Sequence, residues 1–331
     1  MTEREQRIRQ FLALHGWDKA ARGKLAGDAS FRRYDRLLEA DGRRAVLMDA
    51  PPPQEDVRPF MMVGRQLVDL GYSAPHLLAA DVEAGLLLLE DLGDDTFTRL
   101  LANGESESDL YRLAVDQLID LHSRGARAIP ADLPPYDDQR LLNEALLLCD
   151  WYAKEMTPLP SGAREDYIGL WQSLFPVARA VPDTLVLRDF HVDNLLRLDG
   201  RAGVAACGLL DFQDAVAGPI TYDLMSLLED ARRDIDPALI ASLRAHYLRA
   251  FPEIDAQIFD ASWAVLAAQR HAKIIGIFTR LCRRDGKPIY LQHIPRVWRL
   301  LEQALIHPKL KGLKDWFDRY FPPNKRGVPT P

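Results

Sequence analysis

The alternation of hydrophobic and polar residues divides the chain into a strand-rich first part and a helical remainder. Thr2, followed by Glu5 and an amphipathic run, has the pattern of a capping box and predicts a helix to about Leu14. A second helix is expected over about residues 55–70. The pair Asp41-Gly42 is typical of a hairpin turn between strands. Short apolar runs predict strands at about residues 31–38, 44–49, 76–82 and 86–89.

Helical periodicity dominates the rest of the chain, from about residue 96 onward. One strand-like island interrupts it over about residues 185–212, and residues 322–331 are expected to form a loose tail. Strands and helices thus occupy separate stretches, which is α+β organisation and disfavours an alternating βαβ fold. We expect two domains, residues 1–92 and residues 93–331, connected by a hinge near Glu90.

Composition and charge narrow the class of protein. Of the 331 residues, 47% are hydrophobic and 27% are charged, which is ordinary for a chain that buries a core and excludes general disorder. The net charge of −6 argues against coating of nucleic acid. No apolar run has the length of a membrane helix, and the charged start lacks the apolar segment of a signal peptide. The cysteines are odd in number and widely spaced, which is typical of buried thiols in a reducing compartment: Cys149, Cys207 and Cys282. We expect a cytoplasmic monomer that binds neither nucleic acid nor membrane.

Three polar residues follow short apolar strands in the island. Asp189 comes after the run 185–187, Asn194 follows in the same segment, and Asp211 ends the run 208–210. Phosphoryl transfer from ATP needs a carboxylate that orients the acceptor hydroxyl, and oxygen ligands that hold Mg²⁺ against the phosphates. Asp189 is therefore the candidate base, and Asn194 and Asp211 are the candidate metal ligands. A lone Asp can equally cap a helix or a turn, but the combination at two strand ends favours catalysis.

These residues resemble the signature of the aminoglycoside phosphotransferase-like kinase superfamily, H-x-D-x-x-x-x-N followed by [IL]-D-[FW]. The matching segments are Arg188-Asp189…Asn194, Leu210-Asp211-Phe212, Gly218–Leu224 and Leu118–His122. Leu187 stands where the family usually has His, a position that is expected to support the loop without doing chemistry. The resemblance covers about residues 10–300 and implies a bilobal protein-kinase-like fold, with a small β-rich N-lobe, a large helical C-lobe, and ATP and Mg²⁺ as cofactors.

The resemblance also implies a nucleotide site in the first lobe. Residues 27–34 are similar to the family's nucleotide loop. The residues implied to contact ATP there are Gly27, Ala29, Ser30, Phe31 and Arg32. At the hinge, the backbone C=O of Glu90 and the N–H of Leu92 are implied to pair with the adenine edge. An ordinary turn and an ordinary linker are the alternatives.

Met48 departs from the family, because most members have a lysine there for the phosphates. The following helix offers no acid in register. Three explanations are open: another cation binds the phosphates, backbone groups and Mg²⁺ hold them without one, or the protein does not catalyse. The complete set of Asp189, Asn194 and Asp211 argues against the last explanation. The candidate cations are Arg32, Arg33, Arg44 and Arg58.

The acceptor side is expected to be cationic. Residues 261–300 hold eight Lys or Arg and one acid, which suits an anionic or neutral acceptor and opposes a polycationic one. Arg270 lies on an otherwise apolar helical stripe and needs a partner or a ligand; an internal ion pair with Asp223 or Glu229 is the alternative. Further candidate substrate contacts are Lys273, His191 and Asp214. His191 alternatively braces the loop.

Within the superfamily, several segments resemble the bacterial cell-wall-recycling kinases that phosphorylate the anomeric hydroxyl of N-acetylmuramate and N-acetylglucosamine. The segments are 27–34, 48–52, 88–93 and 269–278. The resemblance implies that this chain is such an ATP- and Mg²⁺-dependent sugar kinase of peptidoglycan recycling, with Arg270 or Lys273 as partner of the lactyl carboxylate. The alternatives are a kinase of another acceptor (an aminoglycoside, an amino alcohol or another sugar) and a non-catalytic nucleotide-binding protein. The preferred sugar and the choice of ATP or GTP stay open.

Overall fold

A computed structural model describes residues 2–25 and 31–330. The chain forms two compact units. The first comprises the residues up to Gln117 together with Val192–Ala215, and the second comprises Leu118–His191 together with the residues from Val216 onward. The functional boundary after residue 92 that the sequence suggests stays a prediction.

Strands concentrate in the first unit and helices in the second, so the α+β organisation is confirmed. The strands are β1 (Ala21–Lys24), β2 (Arg33–Leu38), β3 (Arg44–Asp49), β4 (Leu77–Asp81), β5 (Leu86–Glu90), β6 (Asp183–Val186), β7 (Leu195–Arg197), β8 (Cys207–Leu209) and β9 (Val216–Pro219). The helices are α1 (Glu3–Leu14), α2 (Arg58–Asp69), α3 (Phe97–Ala102), α4 (Glu107–Ser123), α5 (Asp138–Ala145), α6 (Lys154–Met156), α7 (Ala163–Ala178), α8 (Thr221–Leu228), α9 (Pro237–Ala250), α10 (Ala256–Asp285), α11 (Ile294–Ala304) and α12 (Lys311–Tyr320). A π-helical stretch, Leu148–Ala153, leads into α6.

A five-stranded antiparallel sheet in the order β1-β2-β3-β5-β4 forms the centre of the first unit. The predicted hairpin between β2 and β3 is present, and Gly42 closes it with a φ of 86°, a conformation that suits glycine. At the turn before β5, Gly85 has a φ of 64°, and a Cβ there would lie 2.1 Å from the carbonyl oxygen of Ala50. Glycine is therefore required where these two backbones approach.

Helix α1 packs on one face of this sheet. Its predicted cap is confirmed, since the Thr2 hydroxyl accepts a hydrogen bond from the backbone N–H of Glu5 at 3.2 Å. Because strand side chains alternate, every second residue of β3 and β5 faces the helix. The buried cluster that results comprises Ile8, Phe11, Leu12, Trp17, Leu37, Ala45, Leu47, Ala84, Leu86 and Leu88.

Helix α10 is the central element of the second unit. It runs for 30 residues and is buried along most of its length. Gly276 permits its close approach to the segment before the π-helix, because a Cβ there would lie 2.3 Å from the carbonyl carbon and oxygen of Leu147. Two-stranded pairing of β6 with β9 completes this unit, and β7 pairs with β8 in the first unit.

The expectation of a loose C-terminal tail is wrong for the residues just after α12. Arg326 is nearly buried and forms ion pairs with Glu302 at 2.5 Å and Asp318 at 2.8 Å. The hydroxyl of Tyr152 donates a hydrogen bond to the carbonyl of Gly327 at 2.7 Å. The charged pairs and the backbone contact attach this segment to the second unit.

The helices and the cysteines bear on the expected class of protein. None of the helices in the described residues is long and apolar enough to cross a membrane. The three cysteines are free thiols; Cys149 and Cys207 are buried as expected, whereas Cys282 is partly exposed.

Candidate active site

The backbone that carries Asp189 is fixed by a buried carboxylate. After β6, the N–H groups of Leu187 and Arg188 donate to the two carboxylate oxygens of Asp223, at 2.6 Å and 2.9 Å. Asp223 is fully buried in the first turn of α8. Burial raises its pKa to about 7, although the two backbone N–H groups and Arg270 favour the ionised form. The sequence offered Asp223 as an ion-pair partner of Arg270, and the structure shows that its carboxylate holds the Asp189 loop.

Asp189 keeps part of its surface exposed while protein atoms surround most of its carboxylate. Burial alone would raise its pKa, but the charges of Lys273 and Arg270, and then of His191 and Arg188, lower it below the ordinary value. The carboxylate is therefore ionised at neutral pH. The second unit thus brings together four residues singled out in the sequence: Asp189, His191, Arg270 and Lys273.

Glu144 on α5 is a partner that sequence reasoning missed. Its carboxylate binds the guanidinium of Arg188 and the amine of Lys273, the latter at 3.0 Å. It also accepts hydrogen bonds from Tyr136 at 2.5 Å and Gln269 at 3.2 Å. Burial opposes ionisation, but Lys273 and Arg188 outweigh it and lower the pKa to about 2. The available signal was an acid at helical spacing between the buried residues 141 and 148.

Arg270 does not form the internal ion pair that was its alternative explanation. The carboxylate of Glu229 binds His271 at 2.6 Å and Trp263 at 2.5 Å instead. Asp223 accepts from the backbone of the Asp189 loop, as described above. The guanidinium of Arg270 lies 5.8 Å from the ring centroid of Tyr222.

The predicted metal ligands lie in the first unit, at one end of the β7–β8 hairpin. Leu195 pairs with Leu209, and the N–H of Leu210 donates to the carbonyl of Asn194 at 2.9 Å. Asn194 directly precedes β7, and Asp211 comes shortly after β8. The strand pairing therefore brings the backbones of Asn194 and Asp211 to the same end of the hairpin.

Asp211 adopts an unusual backbone conformation. In the part of the chain that the structure describes, it and Arg188 are the non-glycine residues with positive φ, at 57° and 68°. Its carboxylate accepts hydrogen bonds from Gln213 at 2.8 Å and Arg32 at 3.3 Å. The next residue, Phe212, stacks on Phe60 of α2 at 4.8 Å. Asp214, a candidate substrate contact, is exposed.

Asn194 and Asp211 fit a magnesium ion by the chemistry of their donors. A carboxylate and an amide oxygen are hard ligands, and Mg²⁺ is commonly held by one or two carboxylates together with substrate phosphates. Within residues 2–25 and 31–330, no group of three or more His, Cys, Asp or Glu side chains could hold a metal ion. Water and phosphate oxygens would supply the remaining ligands of such an ion.

The nucleotide-loop residues are only partly covered by the structure. Gly27, Ala29 and Ser30 lie outside the described residues. Phe31 is exposed, and its N–H donates to Glu55 at 3.0 Å. Met48 is buried in the sheet, and its uncharged thioether cannot replace the family's lysine. The candidate cations differ in their surroundings. Arg32 contacts Asp211, Arg33 binds Asp49 at 2.7 Å, Arg58 binds Asp56 at 2.9 Å, and Arg44 is exposed.

The segment after β5 is held by charged side chains. The carboxylate of Glu90 binds Arg201 at 2.5 Å, and its backbone N–H donates to the carbonyl of His76 at 2.9 Å. Arg36 binds Asp91 and Asp94, both at 2.8 Å. Leu92, which lies between Asp91 and Asp94 in the chain, is half-buried. The adenine contacts of Glu90 and Leu92 stay a prediction, on a segment that the first unit holds firmly.

Comparison with known proteins identifies the family. The model of the phosphotransferase enzyme family (APH) matches residues 23–256. The chain is 36% identical to the N-acetylmuramate/N-acetylglucosamine kinase of Caulobacter vibrioides, over 98% of this chain and 99% of that protein. It is 37% identical to the protein of the same name from Pseudomonas aeruginosa, over 92% and 90%.

A solved structure supports the fold. The choline/ethanolamine kinase family protein from Mesorhizobium loti superposes with a TM-score of 0.60 at 14% identity, covering 95% of this chain and 98% of that one. The kinase-like fold implied by the sequence resemblance is thus confirmed. The chain is a phosphotransferase and belongs to the APH phosphotransferase enzyme family, whose kinases use a nucleoside triphosphate.

Proposed function

We propose that this protein is an ATP- and Mg²⁺-dependent kinase that phosphorylates the anomeric hydroxyl of N-acetylmuramate, N-acetylglucosamine or both, in peptidoglycan recycling. The observation that carries the proposal is the partly exposed, ionised Asp189, held on a clamped loop beside Arg270 and Lys273. The names of the two bacterial relatives, aligned over more than nine-tenths of the chain, support the sugar acceptor.

Asp189 would act as the general base. Its carboxylate accepts a hydrogen bond from the acceptor hydroxyl and takes the proton as the oxygen attacks the γ-phosphorus of ATP. The new bond joins that oxygen to the phosphorus, and the bond from the phosphorus to the β,γ-bridging oxygen breaks, which releases ADP. An anomeric hydroxyl is more acidic than an ordinary alcohol, so an ionised carboxylate with a low pKa is a sufficient base.

The first unit would hold the nucleotide. Asn194 and Asp211 are the proposed ligands of Mg²⁺, which neutralises phosphate charge when it is bound. Arg32 is the proposed replacement for the missing lysine, because its guanidinium already lies at Asp211. A guanidinium can bind two phosphate oxygens at once, so Arg32 can hold the phosphates of ATP from a different position in the lobe than the family's lysine.

Phosphorus NMR of the products tests the reaction and the position of transfer together. With ATP, Mg²⁺ and each sugar, we expect a sugar 1-phosphate signal and ADP. Asp189→Asn should lower kcat by about 10²- to 10⁴-fold, the usual contribution of a general base. Asp199→Asn, at an exposed acid that pairs with Arg197, is the matched control and should leave kcat unchanged.

The same assay separates the alternatives. Turnover of an aminoglycoside or an amino alcohol, with neither sugar consumed, would refute the amino-sugar assignment while retaining the kinase. Nucleotide binding without turnover of any acceptor would favour a non-catalytic protein. Near-wild-type turnover by Asp189→Asn would show that another group is the base.

A further inference from the structure

Arg270 is a buried cation that takes part in no ion pair within 4 Å in the described part of the chain. Its residue surface is 5% exposed, and none of the described residues accepts a hydrogen bond from its Nε. Lys273, one helical turn further along α10, differs because Glu144 binds its amine at 3.0 Å. Burial of a charge is costly unless the charge is paired, so the unpaired member of the two is the one that needs a ligand.

Two of the acids near Arg270 are hydrogen-bonded to other groups. Asp223 accepts from two backbone N–H groups, and Glu229 binds Trp263 and His271. Asp230 accepts from the backbone of Arg232 at 2.7 Å. The charges of Asp189 and Asp230 act on the guanidinium of Arg270, although no ion pair within 4 Å joins Arg270 to Asp230. An anion from outside the protein is therefore the group that would complete the coordination of Arg270.

Arg270 and Asp189 interact through their charges, so an anion bound to Arg270 would lie near the hydroxyl that Asp189 receives. Arg270 lies over the ring of Tyr222, whose neighbour Asp223 binds the backbone immediately before Asp189. Lys273 on the same face of α10 is tied through Glu144 to Arg188, the residue before Asp189. One small molecule can therefore present a hydroxyl to Asp189 and an acidic substituent to Arg270.

We propose that Arg270 binds the carboxylate of an acidic sugar acceptor and so favours N-acetylmuramate over its neutral counterpart N-acetylglucosamine. This inference rests on the proposed function and decides between Arg270 and Lys273 as carboxylate partner. The two sugars differ in the lactyl ether group alone, so each substrate is the control for the other.

The test compares kcat/KM for both sugars in the full-length wild type, Arg270→Gln and Lys273→Gln. Arg270→Gln should lower kcat/KM for N-acetylmuramate about 10- to 100-fold more than for N-acetylglucosamine, through KM, because a charge-assisted hydrogen bond is lost. Lys273→Gln should impair both sugars alike, because Lys273 acts on Glu144 and Asp189. Arg270→Lys, which keeps the charge, should recover part of the preference.

A substrate variant makes the test independent of how the mutants fold. The methyl ester of N-acetylmuramate has no carboxylate charge, so wild type should discriminate against it, whereas Arg270→Gln should treat acid and ester alike. Equal losses for both sugars in Arg270→Gln, or equal use of acid and ester by wild type, would overturn the inference.

The proposed function can fail separately. If wild type turns over neither sugar, calorimetric binding of N-acetylmuramate to wild type and Arg270→Gln still decides the carboxylate site. Binding that depends on Arg270 would support the site. Absent binding, or binding that the variant retains, would overturn it.

Discussion

Replacing Gly276 by alanine should destabilise the protein, because helix α10 has no room for a methyl group there. The added Cβ would lie 2.3 Å from the carbonyl carbon and oxygen of Leu147 and 2.7 Å from its Cβ. Ordinary carbon contacts are about 3.5–4.0 Å, so the helix would have to move by about 1 Å. Two of the obstructing atoms belong to backbone, and a side-chain rotation cannot relieve the overlap.

The magnitude follows from two opposing effects. Overpacking a core costs typically about 1–3 kcal/mol, and a rigid backbone neighbour places this site at the upper end or above. Alanine regains about 1 kcal/mol of helix propensity over glycine. The net loss should be at least about 2 kcal/mol, which corresponds to roughly 3 °C in Tm for a chain of 331 residues.

Gly169 on α7 provides the matched control. It is exposed, and a Cβ there would have no atom within 4 Å. Gly169→Ala should therefore raise stability by up to about 1 kcal/mol. Thermal unfolding of both variants measures the contrast, and kcat/KM should fall in Gly276→Ala alone, since Arg270 and Lys273 lie on the displaced helix. A Gly276→Ala protein as stable as wild type would refute the steric argument.

Three further changes test the charges at the site. The folded-state pKa of Asp223 is raised to about 7 from 3.8, so the folded chain binds its proton more tightly than the unfolded chain. Below about pH 4 this proton contributes its whole stabilisation to the free energy of unfolding, roughly 4 kcal/mol at most. The stabilisation is lost as the pH rises through about 7. Asp223→Asn should flatten this slope in urea unfolding between about pH 5 and 7.5, and an unchanged slope would contradict the assignment. Glu144→Gln leaves Arg188 and Lys273 without their anion and should cost about 3–5 kcal/mol in the same assay; a loss below about 1 kcal/mol would show that the cations find other partners. Arg32→Gln should raise the KM for ATP about tenfold or more, with partial recovery in Arg32→Lys; an unchanged KM would exclude Arg32 as the phosphate cation.

Local signals predicted the elements well. The Thr2 cap and the Asp41-Gly42 turn depend on neighbouring residues, and both are present in the structure. The segments that carry Asp189 and Asp211 are also local, because each acid follows a short apolar strand. Pattern and spacing therefore sufficed for the α+β class, whereas the roles of Asp189, Asn194 and Asp211 stay predictions.

Side-chain partners distant in sequence were not predicted. Glu144 and Lys273 are 129 positions apart, and no local pattern shows that α5 and α10 bring them together. Arg326, expected in a loose tail, is held by Glu302 and Asp318 in the same way. Such pairs arise from helix packing, which the periodicity of one helix does not specify. The convergence of Asp189 with Asn194 and Asp211 on one nucleotide stays a prediction.

The arrangement around Glu144 also limits how this sequence can drift. One carboxylate pairs with two positive residues that belong to different segments of the second unit. A lineage that loses the acid alone raises the charge of this group from +1 to +2, whereas simultaneous loss of the acid and one cation leaves it at +1. Substitutions at positions 144 and 273 should therefore covary among descendants of this chain, with single replacements counter-selected as unstable intermediates.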